Sequence, residues 1–67
     1  MYYIKTKVEN NSFLYLCDIN PKTGIPKTVD NREAARKFKD LAAAGKAHKA
    51  LQKLASKRRM KLTVVEE

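Results

Sequence analysis

Residues 2–8, YYIKTKV, and residues 13–19, FLYLCDI, decide the fold of this chain. In the first segment apolar or β-branched residues alternate with polar ones, which is the period of a strand with one buried face. The second segment is rich in aromatic and branched residues, which favour strands. The pattern predicts two neighbouring strands, and the inward face of the first carries Tyr2, Ile4, Thr6 and Val8.

The pair of asparagines at residues 10–11 joins these two strands. Asparagine tolerates positive φ, so the pair favours a two-residue hairpin turn. That turn sets Thr6 opposite Tyr15 and Ile4 opposite Cys17. The inward face of one strand then meets an apolar face of the other, and this agreement fixes the predicted register.

A third strand is predicted at residues 25–29, after a turn at residues 20–24 (NPKTG). Proline at the second turn position and glycine at its end are typical of such turns. Pro26 has no amide hydrogen to donate, so we expect this strand at an edge of the sheet.

Two helices are predicted next, over residues 31–38 and 41–58. Residues 30–33 read as a capping box, with an aspartate three residues before a glutamate. In one unbroken helix Phe38 would lie roughly 140° from the centre of the apolar stripe of the second helix. A break with Asp40 as a new N-cap returns Phe38 to the core.

A last strand is predicted over residues 60–65, where apolar and polar residues alternate again. The order is β-β-β-α-α-β. We therefore predict a two-layer α+β fold in which a small, mainly antiparallel sheet packs both helices on one face. Its 67 residues make a single domain, 1–67.

The charge of the chain is concentrated in residues 31–61, which carry eleven Lys or Arg against only Glu33 and Asp40, within a net charge of +8. Each lysine alone suits a solvated helix face, and the cations at residues 57–59, one lysine and two arginines, also suit a helix C-terminus. The missing acids favour a polyanion, because a face built for solubility usually intersperses glutamate. The predicted phosphate contacts to DNA or RNA are Lys46, Lys49, Lys53, Lys57, Arg58 and Arg59, with Arg32 and Arg36 as a secondary group.

The outward face of the sheet is the second candidate surface. In the predicted register it carries an apolar patch beside Lys5 and Lys7, and such a patch suggests a protein interface; its residues are Tyr3, Leu14 and Leu16. A mixed aromatic and basic face could instead contact bases. The alternative function is accordingly a module that docks on a host protein, such as a defence or replication enzyme, or a homodimer.

Catalysis, metal binding and a cofactor are not predicted. The acids are spread over turns, caps and the last two positions, and His48 is the single histidine. Cys17 is the single cysteine, which excludes an internal disulfide and suits a reducing cytoplasm. The apolar runs, such as residues 41–44, are too short to cross a membrane. We expect a cytoplasmic protein that is not an enzyme.

Residues 15–24, YLCDINPKTG, resemble the strand and D-P-x-T-G-K turn of integrase arm-type (AP2-like) DNA-binding domains. The start of the second helix, FKDL at residues 38–41, is similar to the helix entry of that family. The resemblance implies a three-stranded sheet packed on one helix, with strands in the major groove. Ile25 replaces a common basic residue, and residues 30–37 are an insertion. More broadly, the chain resembles small accessory proteins of phages and mobile elements.

Overall fold

The computed structural model describes residues 1–7 and 12–67. They form a four-stranded antiparallel sheet in the order β3-β2-β1-β4, with one α-helix packed on it. The elements are β1 (Tyr2–Lys7), β2 (Phe13–Ile19), β3 (Pro26–Val29), α1 (Leu41–Ala55), a 3₁₀ turn (Ser56–Arg58) and β4 (Leu62–Glu66). The α+β class and the antiparallel sheet agree with the sequence-based expectation. No helix among the described residues is long and apolar enough to cross a membrane.

The register between β1 and β2 differs from the predicted one by one residue. Thr6 lies opposite Leu14, and Lys5 lies opposite Tyr15. A slip of one residue sends every side chain of a strand to the other face of the sheet. The prediction that Thr6 faces Tyr15 was therefore wrong, and the turn at residues 10–11 on which it depended lies outside the described residues.

A β-bulge explains which face of β2 enters the core. The ladder between β2 and β3 is irregular between Leu16 and Asp18. A bulge adds a residue to one strand, so residues three apart can point to the same face. Leu16 and Ile19 are accordingly both buried, at 1% and 2% exposure. Strict alternation could have buried only one of them.

The core lies between the sheet and α1. Ala44 and Ala55, on the inner side of the helix, are 0% and 1% exposed, and Leu51 packs between them. The small side chains of Ala44 and Ala55 let the helix approach the sheet closely. The strand residues of this core are Ile4, Leu16, Ile19 and Leu62.

Residues 31–38 do not form the predicted first helix but a single turn followed by extended chain. Asn31 Oδ1 accepts the Ala34 amide at 2.8 Å, so the capping bond comes from Asn31 rather than Asp30. Phe38 then exchanges both of its backbone hydrogen bonds with Tyr2, at 2.9 and 3.0 Å. In a helix through Phe38, the Phe38 amide would instead donate to the carbonyl four residues earlier. Tertiary pairing has overridden local helix propensity.

Three local predictions are confirmed. Asp40 is the N-cap of α1, and its Oδ1 accepts the Ala43 amide at 2.7 Å. The turn before β3 closes with Gly24 at φ 73°, and Pro26 lies in the edge strand β3.

The helix ends at Ala55, three residues earlier than predicted, and continues as the 3₁₀ turn.

Two helix side chains protect the other edge of the sheet, formed by β4. Gln52 Nε2 donates to the Met60 carbonyl at 2.9 Å, and its Oε1 accepts the Leu62 amide at 3.0 Å. His48 Nε2 donates to the Leu62 carbonyl at 2.8 Å. These bonds occupy backbone groups through which an edge strand can pair with another chain.

We predict that Asp40→Ala lowers the free energy of unfolding by about 1 kcal/mol, because the Ala43 amide loses its cap. Asp30→Ala removes the same charge from a residue that does not cap a helix, so its effect stays below about 0.5 kcal/mol. Urea denaturation followed by circular dichroism measures both. Equal losses in the two variants would contradict the assignment of the cap.

Candidate nucleic-acid interface

The outer side of α1 carries a row of three lysines, which we call the lysine row: Lys46, Lys49 and Lys53. Spacings of three and four residues place them on one side of the helix. All three are exposed, while Ala44 and Leu51 on the opposite side are buried. The helix is therefore divided lengthwise into an apolar side against the sheet and a cationic side toward solvent.

Lys57, Arg58 and Arg59 follow the lysine row in and just after the 3₁₀ turn, and all three are exposed. Arg58 reaches back to the turn before β3, where its guanidinium donates to the Thr23 carbonyl at 3.3 Å. Arg59 has a left-handed backbone with φ 57°, which ends the helical segment. The structure thus continues the positive charge beyond the helix, with Arg58 partly engaged within the fold.

No acid neutralises the lysine row among residues 1–7 and 12–67. The ion pairs in these ranges are Lys5 with Glu67 and Arg32 with Glu67. Asp40, the acid nearest in sequence, is occupied as the N-cap. The row therefore presents an uncompensated positive potential, which attracts anions over roughly the Debye length of about 10 Å at 0.1 M salt.

The two residues of the predicted secondary group lie in different places. Arg36 stacks its guanidinium 5.0 Å from the centre of the Phe38 ring. Together with Lys46 it borders an open groove of about 390 Å³, whose remaining lining is Phe38, Ala43, Ala47 and Ala50. Arg32 instead lies near Glu67, 3.8 Å from its carboxylate. Arg36 thus adjoins the lysine row, whereas Arg32 belongs to another cluster.

The predicted apolar patch on the outward face of the sheet is not exposed. Leu16 is 1% exposed and faces the helix, and Leu14 is half-buried in the same strand. Tyr3 is on the outward face but only 3% exposed, with its ring 5.5 Å from that of Tyr15. For the two leucines the prediction of an exposed patch failed because it depended on the wrong register, whereas Tyr3 lies on the expected face and is buried there.

The outward face instead carries a polar cluster around Glu67, which the sequence-based prediction missed. Lys5 Nζ lies 2.7 Å from one carboxylate oxygen of Glu67 and 4.7 Å from the centre of the Tyr15 ring. The Tyr15 hydroxyl donates to the other oxygen. The hydrogen bond from Lys5 lowers the pKa of Glu67, and the bond to Glu67 raises the pKa of Tyr15 and of Lys5.

Other reactive side chains form no site among the described residues. Cys17 is half-buried, with its sulfur 3.8 Å from the Ala34 carbonyl. In the part of the chain that the structure describes, no group of His, Cys, Asp and Glu is arranged to hold a metal ion. The lysine row and the outward sheet face are therefore the surfaces whose chemistry suggests a ligand.

Comparison of the chain with protein-family models, curated proteins and solved structures found no match. The resemblance to integrase arm-type domains and to phage accessory proteins therefore stays a prediction.

We predict that Glu67→Gln lowers stability at pH 7 by removing the anion that Lys5 binds. Because the folded-state pKa of Glu67 lies below its ordinary value of 4.5, this contribution is present above that value and is lost as pH falls through the lowered pKa. Urea midpoints of Glu67→Gln and the parent chain should differ at pH 7, and the difference should shrink as the pH falls below 4.5.

The matched control is Glu33→Gln, an exposed acid outside these ion pairs. At pH 7 the urea midpoint of Glu33→Gln should differ less from that of the parent chain than the midpoint of Glu67→Gln does. A Glu67→Gln difference that stays constant from pH 7 to pH 3 would show that the carboxylate of Glu67 has no stabilising role.

Proposed function

We propose that this protein is a non-enzymatic nucleic-acid-binding protein whose lysine row contacts the phosphate backbone. The observation that carries the proposal is the exposed row of Lys46, Lys49 and Lys53 without an acidic partner among the described residues. Like charges at these spacings repel each other and destabilise a helix. A polyanion relieves that repulsion by neutralising the row.

The dimensions of the row support phosphate contact. The seven residue steps from Lys46 to Lys53 rise about 10 Å along the helix axis. Duplex DNA carries one negative charge per about 1.7 Å of its axis, so several phosphates lie within reach of the row. Such contacts position a protein on the backbone without reading the base sequence.

Small residues beside the lysines support a close approach of the helix to the backbone. Ala42, Gly45 and Ala50 are exposed on α1, and a methyl group added at Gly45 would meet nothing within 4 Å. Short side chains leave the lysine ammonium groups as the outermost atoms of this surface. Arg36 extends the cationic surface across the adjoining groove.

The alternative, a module that docks on a host protein through Tyr3, Leu14 and Leu16, is not favoured by the geometry. Two of these residues are buried within the fold, at 3% and 1% exposure. A homodimer joined through the same leucines meets the same objection. We therefore propose nucleic acid as the partner of the helix surface.

We predict that Lys49→Glu/Lys53→Glu abolishes binding to a fluorescently labelled 20-base-pair duplex at 50 mM salt, measured by anisotropy. The control variant Lys22→Glu/Lys27→Glu changes the net charge equally, in the turn before β3 and in β3, and keeps most of the affinity. Circular dichroism should show both variants folded, since all four lysines are exposed.

A salt titration measures how many phosphates the row neutralises. The neutral pair Lys49→Gln/Lys53→Gln should reduce the slope of log affinity against log salt by about two, because each glutamine leaves one phosphate without its cation. The proposal fails if the parent chain binds neither duplex DNA, single-stranded DNA nor RNA at low salt, or if the two charge-reversal variants lose affinity equally.

A further inference from the structure

The observed register gives the sheet face opposite α1 a composition that the predicted register did not. Lys7 lies directly opposite Phe13, and Lys5 lies directly opposite Tyr15. The two aromatic residues belong to β2 and the two lysines to β1, which are the two central strands of the sheet. We call these four residues the aromatic face.

Phe13 is the exposed aromatic residue of the aromatic face, with 55% of its surface accessible. The aliphatic side chains of the same strand, Leu16 and Ile19, are buried on the helix side. A single exposed phenylalanine is not unusual on a protein surface. Its position opposite exposed Lys7 is the informative feature, because an exposed aromatic residue and an exposed cationic residue are paired on neighbouring strands.

Tyr15 is held in place by contacts on several sides. Its ring packs edge-on against Tyr3, at 5.5 Å between centroids and 65° between planes. Lys5 lies over the ring, and the hydroxyl donates to Glu67. A side chain that is already ordered loses little further entropy when a ligand packs against it.

We propose that the aromatic face binds single-stranded nucleic acid, with an unpaired base stacked on Phe13 and a backbone phosphate at Lys7. Aromatic side chains stack on any base, while neighbouring lysines follow the backbone. Central strands of small antiparallel sheets offer such platforms for unpaired bases. This inference goes beyond the proposed function, because it assigns a second surface, on the other side of the sheet from α1, to a different form of nucleic acid.

Charge complementarity favours a nucleic acid over a protein as the occupant. Phe13 and Tyr15 are flanked in β1 by Lys5 and Lys7, and Glu67 is already bound by Lys5 and Tyr15. A docking surface for an apolar protein partner would instead need a contiguous apolar area with few charges at its centre.

The test uses tryptophan fluorescence, since the chain contains no tryptophan. Phe13→Trp introduces the only tryptophan of the chain. Stacking of a thymine base on its indole should quench the tryptophan emission when a 12-nucleotide oligo(dT) is added. The control is Leu41→Trp at the start of α1, where the native side chain is 58% exposed, close to the 55% of Phe13. Its emission should change little.

A second variant measures the energetic contribution of stacking. Phe13→Ala should weaken oligo(dT) binding about tenfold, as expected for the loss of one stacked base. It should leave duplex binding unchanged, and Lys49→Glu/Lys53→Glu should leave the quenching of Phe13→Trp in place. These two results separate the aromatic face from the lysine row.

Three outcomes would overturn the inference. They are equal quenching of Phe13→Trp and Leu41→Trp, an unchanged oligo(dT) affinity in Phe13→Ala, and a dimer in sedimentation that Phe13→Ala dissociates. The last result would make the aromatic face an interface between copies of this chain. If the two charge-reversal variants lose affinity equally while Phe13→Trp is still quenched by oligo(dT), the proposed function fails and this inference stands.

Discussion

The contact of Ala44, Leu51 and Ala55 with the sheet is the constraint on which the arrangement of charge depends. Because these residues occupy one side of α1, the lysines between them must lie on the other side. The alanines also bring the helix close to Ile4 and Leu16, which fixes its rotation about its own axis. A rotation of half a turn would bury the lysine row, and unpaired buried ammonium groups are too costly to persist.

The bulge in β2 shifts the alternation of side chains between the two faces of the sheet after Leu16. It turns Leu16 and Ile19 toward the helix, although they are three residues apart. Phe13 and Tyr15 then share the opposite face with Lys5 and Lys7. Alternation along β2, shifted once by the bulge after Leu16, thus places aliphatic residues in the core and the two aromatic residues on the opposite face.

Features encoded by short stretches of sequence could be predicted. The strands, the Asp40 cap and the edge position of Pro26 depend on residues within a few positions of each other, and the structure agrees. Features that depend on distant partners could not. The segment 31–38 has the composition of a helix, but Phe38 pairs with the backbone of Tyr2 instead.

The same distinction applies to the candidate surfaces. The lysine row follows from helical spacing alone, so the sequence predicts it. Arg32 is separated from Arg36 because Arg32 pairs with Glu67. Glu67 lies far from both arginines in the sequence, next to another glutamate, so the sequence does not reveal this contact. Assigning Leu14 or Phe13 to a face of the sheet required the observed register between β1 and β2. Backbone amide chemical shifts of the ¹⁵N-labelled chain, followed as a short duplex is added, test most directly whether the lysine row contacts nucleic acid. Binding through the row predicts the largest changes along residues 46–53 and at Arg36, and changes confined to residues 20–29 would contradict it.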